Sequence, residues 1–295
     1  MNKFKKLTAL CLAVIMSAGI MCSCGKDENA PVVDEPVEVA LTGDVKMVAM
    51  DGAGYAGVSA LPNEYSIEKA QDQDQLEEII EEGKYDFAVV DPMVAADIYE
   101  DEKNFRAVMP VYLSDWSIAV LGDPGDKKPE VTQISSRIIY IPKDDEASAD
   151  ILRAIVRENG RNLNSRQLRV IKNDIFEKAA ASEFSVIMAN DKKIEEVTAK
   201  NDNLKVWFDV GQLWQEAFGN SIPGEILIVN EDFLKNRGDE VATVLNDMAE
   251  NMEKAQKSTD KKLVVYNTSN RGAAIIKDFN KAMELDLPQE YYWSE

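Results

Sequence analysis

Five carboxylates stand where apolar runs give way to turns: Asp51, Asp91, Asp115, Asp144 and Asp191. Around them lie Gly52, Ala53, Gly54 and Tyr55, then Met93, Trp116, Lys143, Ser148 and Asn190. A carboxylate beside an aromatic face suits a neutral or cationic ring with N–H donors. The acid supplies charge-assisted hydrogen bonds, and the face supplies stacking or cation–π contact of about 1 kcal/mol or more. A tightly held anion needs the reverse, namely Arg or unspent N–H donors, because a buried carboxylate repels it. Lys143 is the one obvious base in the set.

Composition removes most other chemistry. The 295 residues contain no histidine, which excludes the commonest general base, the Ser-His nucleophile pair and most zinc sites. The three cysteines, Cys11, Cys22 and Cys24, all fall in the first 24 residues, so thiol catalysis is absent from the rest. Metal ligation is left to carboxylates and carbonyls. The pair Asp72 and Asp74 lacks the Gly and terminal Glu of a calcium loop, and neither a metal nor a cofactor is expected. A formal charge of −20 repels nucleic acid and anionic membrane surfaces but permits a small ligand in a cleft. Gly52-x-Gly54-x-x-Gly57 has the spacing of a dinucleotide fingerprint, yet it reads better as a tight strand-to-helix turn that lets a ligand approach the backbone.

The first residues read as an export signal. Lys3, Lys5 and Lys6 precede an apolar stretch over 7–21, which is too short and too poorly flanked for a stable span. Ser23-Cys24-Gly25 follows, then an acidic run with Pro31 and Pro36. A small residue before a cysteine is the cleavage requirement of a bacterial lipoprotein. Ser23 meets it for Cys24, whereas Met21 fits poorly before Cys22. The expectation is a signal peptide over 1–23, a lipid-bearing (palmitate-type) Cys24 and a flexible acidic tether over 24–43. An ordinary secretory peptide cut near residues 17–19 is the competing reading.

The body must hold the cleft residues in place, and its pattern alternates strand and helix. Strands are expected at 45–50, 65–70, 87–90, 106–112 and 117–121, with helices at 55–61, 72–82 and 93–99. A turn-rich break at 122–126 follows. The pattern restarts with strands at 137–141, 168–171, 184–189 and 205–210 and helices at 147–159, 175–181 and 191–200. A return strand at 225–230 leads into helices at 231–236, 239–257 and 271–285. Such alternation predicts α/β layers with mainly parallel sheets, in two lobes. In sheets of this kind the residues just after the strands face a cleft, which is why the acids above are the candidates. Asp91 before Pro92 reads equally as a helix N-cap and as a ligand contact. Asp144, Asp145 and Glu146 also serve as complement to a helix dipole, and Trp116 reads as hinge packing or as a ligand platform.

The order of these pieces resembles the type II substrate-binding proteins of ABC importers, and within them the NMT1/THI5-like and sulfonate-binding group. The carrying segments are the Gly-containing loop at 51–57, EEGKYDFAVVDPMVAADIY at 81–99, the helix-opening loop at 141–150, and the return strand with terminal helices at 224–255. Asn190-Asp191 stands where many members carry an acidic-Pro pair, so ligand identity does not transfer. The resemblance implies lobe 1 over 44–124 and 225–295 and lobe 2 over 125–224, hinged through 121–128 and 223–225. It implies a monomeric, non-enzymatic solute-binding lipoprotein on the outer face of the bacterial cell membrane, partnered by an ABC permease. The absence of His removes the branch that consumes an active-site histidine. With the acids beside Tyr55 and Trp116, the expected ligand is a heteroaromatic, thiamine-precursor-like pyrimidine. The alternatives are a sulfonate- or nitrate-type anion, or a ligand-sensing or accessory role without transport.

Overall fold

The computed structural model describes residues 39–50, 52–102, 104–123, 125, 129–180, 186–257 and 271–289. Cys24, most of the tether and Asp51 lie outside the described residues, as do the side chains of Ala53 and Asp144. Two five-stranded sheets share one design. The first takes β1 (Val45–Met50), β2 (Tyr65–Ala70), β3 (Phe87–Val90) and β4 (Phe105–Leu113) and receives a late strand, β10 (Pro223–Asn230), in the order β2-β1-β3-β10-β4. The second is built from β5 (Trp116–Leu121), β6 (Ile139–Pro142), β7 (Leu168–Ile171), β8 (Val186–Asn190) and β9 (Leu204–Asp209), in the order β7-β6-β8-β5-β9. In each sheet four strands point one way and one inserted strand runs against its neighbours: β10 between β3 and β4, β5 between β8 and β9.

Both sheets are covered on two faces, and strand alternation sorts the residues. Val45, Met47 and Ala49 of β1 face one way, toward Val241, Val244 and Met248 of helix α9 (Val241–Gln256). Val48 faces the other way, with Ile80 of α2 (Gln73–Glu81) and Ala95 and Ile98 of α3 (Pro92–Glu102). In the second sheet Val186 and Met188 pack with Ile151, Leu152 and Ile155 of α4 (Ser148–Glu158). Ile187 and Ala189 pack with Phe176 of α5 (Asn173–Ala180) and with Ile194 and Val197 of α6 (Asp191–Thr198). Each fully buried side chain of this size stabilises the fold by roughly 1.5–3 kcal/mol.

The structure differs from the sequence expectation at the joins. The strand at 117–121, grouped by sequence with the first lobe, is hydrogen-bonded into the second sheet. Only Ser114 and Asp115 separate it from β4, so the chain crosses between sheets there rather than at the turn-rich 122–126. The return crossing lies beside it: the Ser114 N–H donates to the Ile222 carbonyl at 3.1 Å, and Leu113 pairs with Pro223. Gly224 is needed at this join, because a Cβ there would stand 2.6 Å from the Tyr112 ring. Helix α7 (Val210–Phe218), absent from the sequence reading, precedes the return crossing. The Asp209 carboxylate caps its start by accepting the Gln212 N–H, and Gly219 ends it at φ 78°. Between β10 and α9 comes α8 (Glu231–Arg237). The final helix, α10 (Arg271–Met283), spans both cores: Ile276 packs with the first sheet and Phe279 with the second, its ring 5.5 Å from that of Trp214.

Candidate functional site

A row of groups crosses the first sheet at the C-terminal ends of its parallel strands. Val90 pairs with Ile226, so Asp91 and Glu225 occupy the next register position on adjoining strands. Glu225 in turn pairs with Tyr112. Above this row lies α1 (Ala53–Val58), entered through Gly52 at φ 139°, a backbone angle that glycine supplies without strain. The close approach is specific to Gly54: a Cβ there would sit 2.6 Å from Val89 Cγ1 and 2.7 Å from Glu225 Oε2. The short Gly-x-Gly turn thus presses α1 onto the acidic row. Tyr55, half-buried, lies with Lys69 Nζ 5.3 Å from its ring centroid.

Asp91 is both cap and rim residue. Its Oδ1 accepts the N–H groups of Met93 at 2.7 Å and Val94 at 3.3 Å, which satisfies the start of α3. Burial pushes its carboxyl up to about 6; the two N–H bonds oppose the shift and nearby Asp97 adds to it. Met93, two residues on, packs against the core of the second sheet, so this rim faces the other lobe. Asp97, one turn further along α3, has its carboxyl raised by burial and by acids that include Asp150 of α4.

The second sheet contributes a network centred on Asp145, which sits on a short turn after β6 and is buried. Its carboxylate accepts the Trp116 indole N–H at 3.2 Å, the Asn190 backbone N–H at 3.2 Å and the Asn190 side-chain amide at 3.3 Å. Burial raises its carboxyl, and these donors with Lys193 oppose the rise. Asn190 Oδ1 accepts the Lys193 N–H at 3.0 Å and so caps α6. Ser148 is fully buried and donates to the Asp145 carbonyl at 2.6 Å, at the start of α4.

Asp115 and Asp191 join the two sides. The Asp191 N–H donates to the Asp115 carbonyl at 2.8 Å, and Ser117 Oγ donates to Asp191 Oδ1 at 2.6 Å. The Tyr112 hydroxyl donates to the Asp115 carboxylate. Burial raises the Tyr112 hydroxyl, and Asp115, Glu225 and Asp191 raise it further. The structure places Gly54 against Glu225, beside Asp91, on one side and joins Trp116 and Asn190 through Asp145 on the other, with Asp115 bonded to Asp191 between; Tyr55 packs with the first-sheet core and Lys69, and Ser148 is buried at the start of α4. Lys143 is set apart: it pairs with Glu146 on an exposed face. Sequence reasoning passed over Asp145, Tyr112 and Glu225. Asp145 was legible only as a dipole partner of the following helix, since nothing local shows Asn190 and Trp116 converging on it. The sequence marks 223–225 as a hinge segment with Glu225 opening the return strand, but the pairing of Glu225 with Tyr112 is a long-range register.

These helix starts are already satisfied from within. Asp91 caps α3, Asn190 caps α6, and the first N–H groups of α4 donate to the preceding turn, Ala149 to the Glu146 carbonyl at 2.9 Å and Asp150 to that of Ala147 at 3.3 Å. The six-residue α1 begins without a side-chain cap. Among the described residues no group of His, Cys, Asp and Glu has the arrangement of a metal site.

No family model matches the chain, and no curated protein matches it. Among solved structures it is similar to the periplasmic aliphatic sulphonate binding protein SsuA from Escherichia coli, at 12% identity and TM-score 0.57, over 83% of this chain and 80% of that one. The putative periplasmic sulfonate-binding protein SsuA of Methylobacillus flagellatus aligns at 11% identity and TM-score 0.56, over 88% and 82%. An ABC transporter protein from Parabacteroides distasonis aligns at 12% identity and TM-score 0.53, over 85% and 99%. The two-sheet topology, the paired crossings and these likenesses define an α/β, two-lobed type II periplasmic-binding-protein fold.

Proposed function

We propose that this chain is an extracytoplasmic solute-binding lipoprotein that captures a small organic molecule for an ABC importer and is not an enzyme. The observation that carries the reading is the pair of adjacent chain crossings between the two sheets. Groups from both sheets converge at the paired crossings, where the ends of parallel strands and the starts of helices meet. The sequence has no histidine, which removes the Ser-His nucleophile pair. Anchoring at Cys24 through a diacyl group, a monomeric state and docking to a membrane permease complete the proposal. The basic-apolar-Ser23-Cys24 signal supports the anchor.

Within the reading, a neutral or cationic heteroaromatic solute of the aminopyrimidine class fits better than a sulfonate. The likeness of fold is compatible with both. The self-capped starts of α3, α4 and α6 spend the N–H donors that would hold an anion. Asp91, Asp115, Glu225 and Asp191 would repel one. A thermal-shift screen of the mature chain over pyrimidines, sulfonates, nitrate and amino acids tests this. A true ligand at 100 times its Kd adds about 2.7 kcal/mol of stability. A response to pyrimidines and none to sulfonates or nitrate is expected. A response to sulfonates alone would overturn the ligand class, and a flat screen would favour the accessory role.

A further inference from the structure

The geometry points to Asp91 Oδ2 as the atom that selects a ligand's positively charged or N–H-donating group. This rests on the solute-binding reading above. The two oxygens of Asp91 are not equivalent. Oδ1 is spent on the N–H groups of Met93 and Val94. Among the described residues nothing donates to Oδ2, whereas both oxygens of Asp145 across the cleft are occupied by Asn190, one of them also by Trp116. Asp115 is taken by Tyr112, and Asp191 Oδ1 by Ser117. Asp91 thus keeps a charged acceptor whose direction is fixed by its own cap, at a rim whose next turn packs against the opposite lobe.

The charge is also held at a cost that a ligand can remove. Asp91 is half-buried, has no cation bonded to it among the described residues, and faces Glu225 on the adjoining strand. Burial raises its carboxyl to about 6, and nearby Asp97 adds to the rise. An ammonium, amidinium or aminopyrimidine N–H placed on Oδ2 replaces lost hydration and forms a charge-assisted bond. A sulfonate in the same place adds a third negative group to the row. The cap therefore has a second role, in which holding α3 orients the recognition atom.

The test uses three planar probes of similar size on the mature chain: benzamidine (cationic), 4-aminopyrimidine (neutral, N–H donating) and benzenesulfonate (anionic). Asp91→Asn preserves an N-cap acceptor while removing the charge. The wild type is expected to bind benzamidine more tightly than benzenesulfonate. Asp91→Asn should lose at least about tenfold in benzamidine affinity while its thermal midpoint is retained or raised. If Asp91→Asn does not fold, Asp91→Ser supplies an alternative cap with the same expectation. Equal benzamidine affinity in wild type and variant overturns the role of Asp91 and leaves solute capture standing. Tighter binding of benzenesulfonate overturns this inference and the preferred ligand class together. Failure of all three probes on the wild type overturns the inference along with the reading beneath it.

Discussion

Replacing Asp91 by Asn should make this protein more stable at neutral pH and no more stable in acid. Burial pushes the folded carboxyl up to about 6, well above the ordinary carboxylate range of about 4. A group raised in the folded state leaves full stability in place below the unfolded value. It loses that stability as pH rises through the folded one. Ionised Asp91 therefore costs the fold something that a neutral side chain does not. A gap of about two pH units corresponds to roughly 3 kcal/mol at most. Asp91 is half-buried and partly screened, and Asn forfeits the favourable charge at the start of α3, worth about 0.3–1 kcal/mol. A net gain of about 1–2 kcal/mol above pH 7 is expected, and one close to zero or slightly negative near pH 4. Urea unfolding of residues 25–295 and of the variant at half-unit steps from pH 4 to 8 reads this directly. The difference curve should rise between pH 4 and about 6.5 and then flatten. Parallel profiles would show that Asp91 is not held at a cost, and would refute the reasoning about the rim.

Gly54→Ala forces a methyl to within 2.6 Å of Val89 and 2.7 Å of the Glu225 carboxylate, so α1 must lift. A loss of about 1–3 kcal/mol in urea unfolding is expected, together with weakened ligand binding. Trp116→Phe removes one donor from buried Asp145 and should cost about 1–2 kcal/mol; a Trp116→Phe protein as stable as wild type would show that the indole bond is dispensable. Cys24→Ala should move the full-length protein from the detergent phase to the aqueous phase on fractionation, and identical partitioning of both proteins would remove the proposed anchor.

Much of the fold was legible because local pattern and tertiary demand coincide. β1, β2 and β3 are short apolar or alternating runs flanked by turn residues, and they form where the periodicity puts them. Asp72 caps α2 as its spacing predicts, accepting the Gln75 N–H at 2.9 Å. Two features escaped for different reasons. The capping signals of α7, Asp209 and Gly219, are present, but Asp209 falls inside the strand expected at 205–210, and no element is expected between that strand and the return strand. The place of β5 was not locally encoded. A strand reads the same whether it pairs with β4 or with β8, and the turn residues Ser114 and Asp115 fit a link between neighbouring strands of one sheet as well as a change of sheet. The candidate site divides along the same line. Gly52, Gly54, Asp91 and Asn190 lie at strand ends, where position alone makes them candidates. Asp145 and Glu225 act through partners distant in sequence, whose approach only the fold creates.

The central claim is that this cleft captures a small organic solute and favours one that donates hydrogen bonds over one that brings negative charge. Isothermal titration of the purified mature chain with an aminopyrimidine and, in parallel, with an alkanesulfonate tests it most directly. The account predicts saturable one-site binding of the aminopyrimidine and no measurable heat from the sulfonate. Tight sulfonate binding with no response to the aminopyrimidine would contradict it.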